Sequence, residues 1–158
     1  MSSFKNADAG VIVDQLIKTI QKERDYLSEI DGKIGDGDHG INMNKGFTMC
    51  EKKLEGTASV EGIQDISPAQ VGDKSLLDTL IPAKEAFVEA KEAGKDFAEC
   101  LDAMNAAAEK GWQSTKDLVA KIGRASRLGE RSRGVLDAGA TSCYFIITTI
   151  GSTAKSLL

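Results

Sequence analysis

The stretch 140–158, ATSCYFIITTIGSTAKSLL, decides whether the fold is predicted to be all-helical or a mixture of helices and strands. Its apolar and β-branched residues would suit a strand if the stretch stood alone. It is longer than most strands, however, and the apolar segments before it all have helical spacing. We therefore predict that 140–158 forms a buried helix and that the fold is all-α.

Four earlier segments have this helical spacing. Apolar residues recur every three or four positions over 8–29, which predicts an amphipathic helix. Further helices are predicted from Asn42 to residue 54, over 75–90 with Pro82 at a kink or early in the helix, and over 95–122. The last of these has one apolar stripe that we assign to the core: Phe97, Leu101, Met104, Ala108, Trp112, Leu118 and Val119.

Length, charge and cysteine content narrow the class of protein. A chain of 158 residues is long enough for a single domain, 1–158, with a substantial core. Its net charge of −4 argues against a nucleic-acid-binding protein with a broad basic face. The three cysteines are odd in number and widely spaced, which indicates reduced thiols and a cytoplasmic location. No run of residues predicts a leader or a membrane span.

Two glycine-rich loops lie between predicted helices. The first, DGKIGDGDHG at 31–40, contains three aspartates and the only histidine of the chain. The second, within 123–139, contains four glycines and the residues Arg124, Arg127, Arg131 and Arg133. Glycine permits unusual backbone angles and the close approach of a ligand. A carboxylate-rich loop and a guanidinium-rich loop together suggest a metal-bound anion held between them.

The acidic loop predicts a divalent-metal site. Asp36 and Asp38 can point at one position, and Asp31 can reach the same position from the end of the preceding helix. Three carboxylates so close repel one another unless a cation lies between them, and oxygen ligands suit Mg²⁺ or Ca²⁺. An EF-hand is excluded because Gly40 stands at a ligand position and no glutamate closes the loop. The alternative is a solvated turn in which Asp38 caps the next helix; the arginine loop favours the metal site.

Three segments resemble the nucleotide-binding L subunit of bacterial dihydroxyacetone kinases. They are DGKIGDGDHGINMNKGF at 31–47, GRASRLGERSRGVLDAGATS at 123–142, and VGDKSLLDTLIPAKEAF at 71–87, which is similar to the family's Gly-Asp-Lys-Thr-Met-x-Asp segment. The resemblance implies an antiparallel, up-and-down barrel or bundle of helices, about eight in the family and fewer here. It also implies ADP or ATP and two Mg²⁺ ions at one end of the barrel.

The resemblance assigns roles to individual residues. Asp31, Asp36 and Asp38 would hold both metal ions. Residues 39–42 would contact phosphate and nucleotide at a helix N-terminus, where free N–H groups favour anions. We expect His39 to contact phosphate rather than to carry it, and we expect no covalent nucleophile. The nucleotide-binding positions implied by the family are His39, Gly40, Ile41, Asn42, Leu76, Arg124, Asp137, Ala138 and Gly139.

The implied activity is phosphoryl transfer, which depends on positioning and charge neutralisation. The acceptor would be dihydroxyacetone or a related short ketose, held by a separate K subunit. An M-type phosphocarrier subunit of a phosphotransferase system would rephosphorylate the bound ADP. A homodimer is left open, and no nucleic-acid or membrane partner is expected. The alternatives are an ATP-dependent kinase of another small ketose and a non-catalytic regulatory module that binds nucleotide or metal.

The sequence departs from the family at two places. The family has a longer segment, with a Gly-Gly-x-x-Gly-Pro loop over the nucleotide, where this chain has only residues 55–61. Either the lid is deleted or it is omitted from the sequence; we favour omission, which predicts a gap between consecutive Cα atoms in 54–61. The family's His-x-Asp-Pro-Gly loop is Val135–Gly139 here, without the histidine and the proline. That difference weakens the assignment of dihydroxyacetone as the substrate.

Overall fold

A computed structural model describes residues 9–53 and 69–158 of the chain. These residues form six α-helices and one 3₁₀ segment: α1 (Ala9–Lys22), α2 (Arg24–Ile34), α3 (His39–Lys53), α4 (Leu77–Glu92), α5 (Phe97–Ser114), the 3₁₀ segment (Arg124–Ser132) and α6 (Ala138–Ser156). Within these two ranges there is no strand, and no helix has both the length and the apolarity needed to cross a membrane. The all-α prediction is confirmed, including the helix predicted at 140–158. The predicted gap in 54–61 lies outside the described residues.

Two predicted helices have different bounds in the structure. The helix predicted over 8–29 is two helices, α1 and α2, which are separated at Glu23. Helix α2 runs on to Ile34 and so includes the first residues of the stretch predicted as the acidic loop. The helix predicted over 95–122 ends at Ser114, after which the chain continues in turns. The carbonyl groups of Thr115 and Leu118 both accept hydrogen bonds from the distant Lys74 side chain, and the Thr115 carbonyl also accepts the Leu118 N–H in a turn, over 3.3 Å. The core stripe therefore ends with α5.

The core assignment for that stripe is confirmed only in part. Leu101 and Ala108 are buried, whereas Phe97, at the first turn of α5, is 38% exposed. Leu118 and Val119 are half-buried in the loop after α5. Phe97 instead makes an edge-on contact with Phe87 of α4, with 6.1 Å between the ring centroids.

Helix α6 is the central element, since it contacts α1, α2, α4 and α5. Ile147 of α6 packs in one cluster with Ala83 of α4 and Ala108 of α5. Near its N-terminal end, Tyr144 stacks on Trp112 of α5 with 4.3 Å between the ring centroids. The Trp112 indole N–H donates a hydrogen bond to the Thr141 hydroxyl over 2.9 Å. These contacts fix the start of α6, which reaches the functional site.

Helices α4 and α5 form a hairpin whose close packing positions the start of α4. A capping box of Asp96 and Glu99 begins α5. A Cβ atom at Gly111 would lie 2.1 Å from the carbonyl oxygen of Asp78, so α5 can approach α4 here only without a side chain. Pro82 lies inside α4 and has no N–H group to donate to that same carbonyl. The first turn of α4 is thus held directly against α5.

Two cysteines of the described residues are free. Cys100 is buried in α5 and Cys143 is half-buried in α6. Burial raises the pKa of the Cys143 thiol to about 11, so this group is protonated at neutral pH.

Candidate functional site

The structure brings the three aspartates of the acidic loop together between α2 and α3. Asp31 lies in the last turn of α2, and Asp36 and Asp38 lie in the connection to α3. One carboxylate oxygen from each residue lies within 4.8 Å of those from the other two. Hard oxygen ligands at this spacing are the donor set that Mg²⁺ or Ca²⁺ prefers.

Close backbone approaches produce this convergence. A Cβ atom at Gly35 would lie 2.3 Å from Oδ1 of Asp31, so the carboxylate occupies the space that a side chain would need. The other oxygen of Asp31 accepts a hydrogen bond from the backbone N–H of His39 over 3.3 Å. Asp31 therefore caps α3 from the preceding helix. The carbonyl of Asp38 accepts the first helical bond of α3, from the N–H of Asn42 over 2.9 Å.

Arg124 is the residue of the arginine loop that meets these carboxylates. It is the first residue of the 3₁₀ segment, and its Nη1 contacts Oδ2 of Asp36 and lies 3.5 Å from Oδ1 of Asp38. All three side chains are about half exposed, so a ligand can reach them. Arg133, by contrast, pairs with Glu130 and donates to the Asp117 carbonyl. The arginine loop thus contributes one guanidinium to the acidic cluster among the contacts described.

His39 is half-buried at the start of α3. Its Nε2 lies 3.1 Å from the hydroxyl of Ser142 in α6. Burial lowers the pKa of His39, while Asp31 and Asp38 act in the opposite direction. The histidine is therefore biased towards its neutral form. Ser142 was not predicted as a site residue, because the contact joins positions 103 residues apart.

The segment before α4 forms another wall of the site. Asp78 is 2% exposed and accepts hydrogen bonds from the backbone N–H groups of Gly72, over 2.5 Å, and Ser75, over 2.7 Å. These bonds fold residues 72–75 into a tight turn that places Leu76 at the cleft. Lys74, at the centre of the turn, is almost completely buried.

Asp137 begins α6 at the opposite side. Its carboxylate accepts a hydrogen bond from the Ala140 N–H over 2.7 Å, and its own N–H donates to the Thr115 hydroxyl over 3.1 Å. Burial raises the pKa of Asp137 to about 6, although the Ala140 N–H, the charge of Lys74 and the Gly139 N–H favour the ionised form.

These elements surround a cleft of about 430 Å³, a size typical of ligand sites. Nine of the twelve residues predicted for the site line it: Asp31, Asp38, His39, Asn42, Leu76, Arg124, Asp137, Ala138 and Gly139. Asp36 does not line the cleft itself but contacts Arg124, which does. Lys74 and Ser75 also line the cleft and were not predicted.

Gly40 and Ile41 lie away from the cleft. A Cβ atom at Gly40 would lie 1.9 Å from the Arg24 carbonyl oxygen, so this glycine lets α3 pack against α2. Ile41 is 46% exposed and lines a separate depression beside Asn44 and Lys45. Their side of the first turn therefore faces α2 and solvent, so a contact with nucleotide would have to use backbone groups.

Comparison with known proteins identifies close similarity to one family. The DAK2 domain family matches residues 56–152. The chain is 28% identical, over 198 aligned positions, to the ADP-binding subunit DhaL of PEP-dependent dihydroxyacetone kinase 2 from Listeria innocua. The alignment covers 89% of this chain and 91% of that protein. It has more positions than this chain has residues, so the Listeria protein contains residues without a counterpart here.

Two further proteins extend the comparison. The L-erythrulose kinase of Pectobacterium atrosepticum is 34% identical over 146 aligned positions, and the alignment covers 87% of this chain and 25% of that protein. The crystal structure of the dihydroxyacetone kinase of C. freundii superimposes with a TM-score of 0.61 over 95% of this chain and 35% of that chain. At 20% identity, that likeness shows a shared helical fold. The resemblance seen in the three sequence segments is confirmed, and the chain belongs to the DAK2 domain family.

Proposed function

We propose that this protein is the nucleotide-binding subunit of a kinase for dihydroxyacetone or a related short ketose. The observation that carries the proposal is the cleft in which three converging carboxylates face Arg124 and two helix N-termini. Curated relatives that match most of the chain are named ADP-binding subunits of such kinases. The protein would act as an enzyme together with partner subunits.

Asp31, Asp36 and Asp38 would hold Mg²⁺. Their oxygens are mutually within 4.8 Å, and the one positive charge of Arg124 beside Asp36 and Asp38 does not balance three carboxylates. Magnesium takes about six oxygen ligands, so phosphate oxygens or water would supply the ligands that the three carboxylates do not. Magnesium would supply neutralisation of the charge on the nucleotide phosphates.

The nucleotide would lie along the cleft with its phosphates towards α3 and Arg124. The first turn of a helix offers N–H groups without helical partners, which favour anions. Arg124 presents a planar guanidinium suited to phosphate oxygens. Leu76, which is 39% exposed, and the start of α6 offer apolar surface for the base. Neutral His39 would donate or accept a hydrogen bond at the phosphates.

The acceptor ketose would be held by a K-type subunit, and an M-type phosphocarrier would restore ATP from bound ADP. Relatives named PEP-dependent and PTS-dependent kinase subunits support this arrangement. Relatives named erythrulose kinases support the alternative, a kinase of another short ketose. A phosphoryl-transfer assay with dihydroxyacetone and erythrulose, fed by ATP or by the phosphocarrier system, separates the two; no transfer in any combination would favour a regulatory module.

The metal site is tested by Asp36→Asn. This change removes a ligand charge from an exposed loop, so we expect the affinity for ADP with Mg²⁺ to fall about tenfold or more while the melting temperature without ligand stays near wild type. Isothermal titration calorimetry with ADP, in the presence and absence of Mg²⁺, measures the effect. Asp25→Asn is the matched control, because it removes a carboxylate that is 85% exposed and that pairs with the neighbouring Arg24. Equal Mg²⁺-dependent binding in wild type and Asp36→Asn would overturn the two-metal assignment.

A further inference from the structure

Lys74 is a buried lysine whose ammonium group has no donor left for a ligand. Its residue surface is 2% exposed. Its Nζ lies 2.5–3.2 Å from four backbone carbonyl oxygens, those of Thr115, Leu118, Ser132 and Val135. An ammonium group has three N–H donors, so four acceptors use all of them. Lys74 lines the cleft, but it cannot serve as a direct hydrogen-bonding contact to nucleotide or phosphate.

The four carbonyls belong to both ends of the loop that carries Arg124. Thr115 and Leu118 lie in the turns directly after α5, whereas Ser132 ends the 3₁₀ segment and Val135 precedes the start of α6. Along the chain they are 41 to 61 residues away from Lys74. One side chain therefore ties the entry and the exit of this loop to the turn before α4.

The backbone holds Lys74 in an unusual conformation. Its φ of 61° lies in the left-handed region, which residues other than glycine rarely adopt. Asp78 fixes the turn by accepting the N–H groups of Gly72 and Ser75 on either side. A strained residue persists where the surrounding structure over-determines it, and such residues gather at functional sites.

The carboxylate of Asp137 favours the charged form of Lys74. Burial lowers its pKa, and the carboxylate of Asp137 is the largest influence in the opposite direction. Replacing the ammonium by an apolar group would leave the carbonyls of Leu118, Ser132 and Val135 without this donor, while the Thr115 carbonyl would keep the longer bond from the Leu118 N–H at 3.3 Å. Buried acceptors without partners destabilise the segments that carry them.

We propose that Lys74 is the positioning residue of the cleft, which holds the wall formed by Ser75 and Leu76 at its working distance from the wall formed by Arg124 and Asp137. The ligand side of this inference rests on the proposed function, whereas the loop geometry does not. It predicts that loss of the ammonium releases residues 115–137 and weakens nucleotide binding without removing a nucleotide contact.

Lys74→Ala with chemical rescue tests the proposal. The substitution removes a propylammonium-sized part of the side chain, so n-propylammonium can refill the space and restore the donors. We expect ADP binding with Mg²⁺ to weaken about tenfold, since unpaired buried acceptors cost of this order. We expect faster hydrogen exchange in 115–137, and recovery of both readouts with n-propylammonium but not with equimolar tetramethylammonium, which has no N–H donor.

Lys121→Met is the matched control. Lys121 joins the same two parts of the chain, through Asp73 at 3.1 Å, but its side chain is 64% exposed. Because exposed pairs contribute little, its ADP affinity and exchange rates should stay within about twofold of wild type. Lys74→Met, which retains the apolar stem, provides a second variant for the binding and exchange measurements if Lys74→Ala does not fold.

The outcomes separate this inference from the proposed function. If wild type does not bind ADP, the proposed function fails, and hydrogen exchange in 115–137 decides the role of Lys74. Native exchange rates in the Lys74 variants, or a loss that tetramethylammonium reverses as well as n-propylammonium does, would overturn the positioning role. Faster exchange confined to 115–137 and reversed only by n-propylammonium would support it.

Discussion

Asp137 shows at the scale of one residue how the site depends on burial. Its carboxylate caps α6, yet burial raises its pKa to about 6. An unfolded aspartate titrates near pH 4, so between about pH 4 and pH 6 the native state binds more protons than the unfolded state. Stability from this group is therefore fully present below about pH 4 and is lost as the pH rises through about 6.

Asp137→Asn should remove this pH dependence while keeping a good N-cap. Relative to the variant, wild type should lose up to about 2 kcal/mol of unfolding free energy between pH 4 and pH 7. Urea unfolding of both proteins at unit pH intervals, without nucleotide, measures the difference. Parallel stability curves would mean that the Asp137 carboxylate titrates like an exposed one.

Some contacts of individual residues could be predicted from the sequence, and others could not. The convergence of Asp31, Asp36 and Asp38 could be predicted because all three lie within eight positions and glycines separate them. The Lys74 contacts could not, since backbone carbonyls carry no signature in the sequence and these lie 41 or more residues away. Ser142 could not be predicted either, because its partner His39 lies on another helix, 103 residues away in the chain.

At the scale of elements, the site is built on helix ends while the helix bodies pack the core. The N-termini of α3 and α6 and the start of the 3₁₀ segment all border the cleft. Apolar spacing predicted the helix bodies, but it does not detect a break such as that at Glu23. Beyond the end of α5 at Ser114, the carbonyls of Thr115 and Leu118 contact Lys74, a tertiary interaction that apolar spacing does not detect.

Gly111→Ala tests the close packing of α4 on α5. The new Cβ would lie 2.1 Å from the Asp78 carbonyl oxygen, so the helices must separate. We expect a loss of about 2–3 kcal/mol of unfolding free energy, more than the gain in helix propensity returns. Chemical denaturation measures the change.

Gly46→Ala in α3 is the matched control for Gly111→Ala. A Cβ atom there has no neighbour within 4 Å, so this variant should gain about 0.5–1 kcal/mol from helix propensity alone. Destabilisation of the two variants by the same amount would show that the contact with Asp78 is not the cause.

At the scale of the whole molecule, three separate parts of the chain form the cleft. Residues 31–42 supply the carboxylates and the start of α3, and residues 74–76 and 122–139 supply the remaining walls. Fold class and most lining residues could be predicted, because each motif is local and the family resemblance joins them. The relative placement of the motifs could not, because it follows from the packing of α6 against four other helices.

This division of the site has a consequence for the order of events in folding. Arg124 and Asp36 meet across 88 positions of the chain, and contacts of such long separation form after local helices have formed. We expect Mg²⁺ with ADP to slow unfolding about tenfold at a ligand concentration ten times Kd and to leave the refolding rate unchanged, because the ligand recognises only the completed cleft. Stopped-flow refolding and unfolding in urea, with and without ligand, would show this, whereas a faster refolding limb would place cleft assembly before the transition state. Nucleotide would then act on the lifetime of the folded chain rather than on the speed with which it folds.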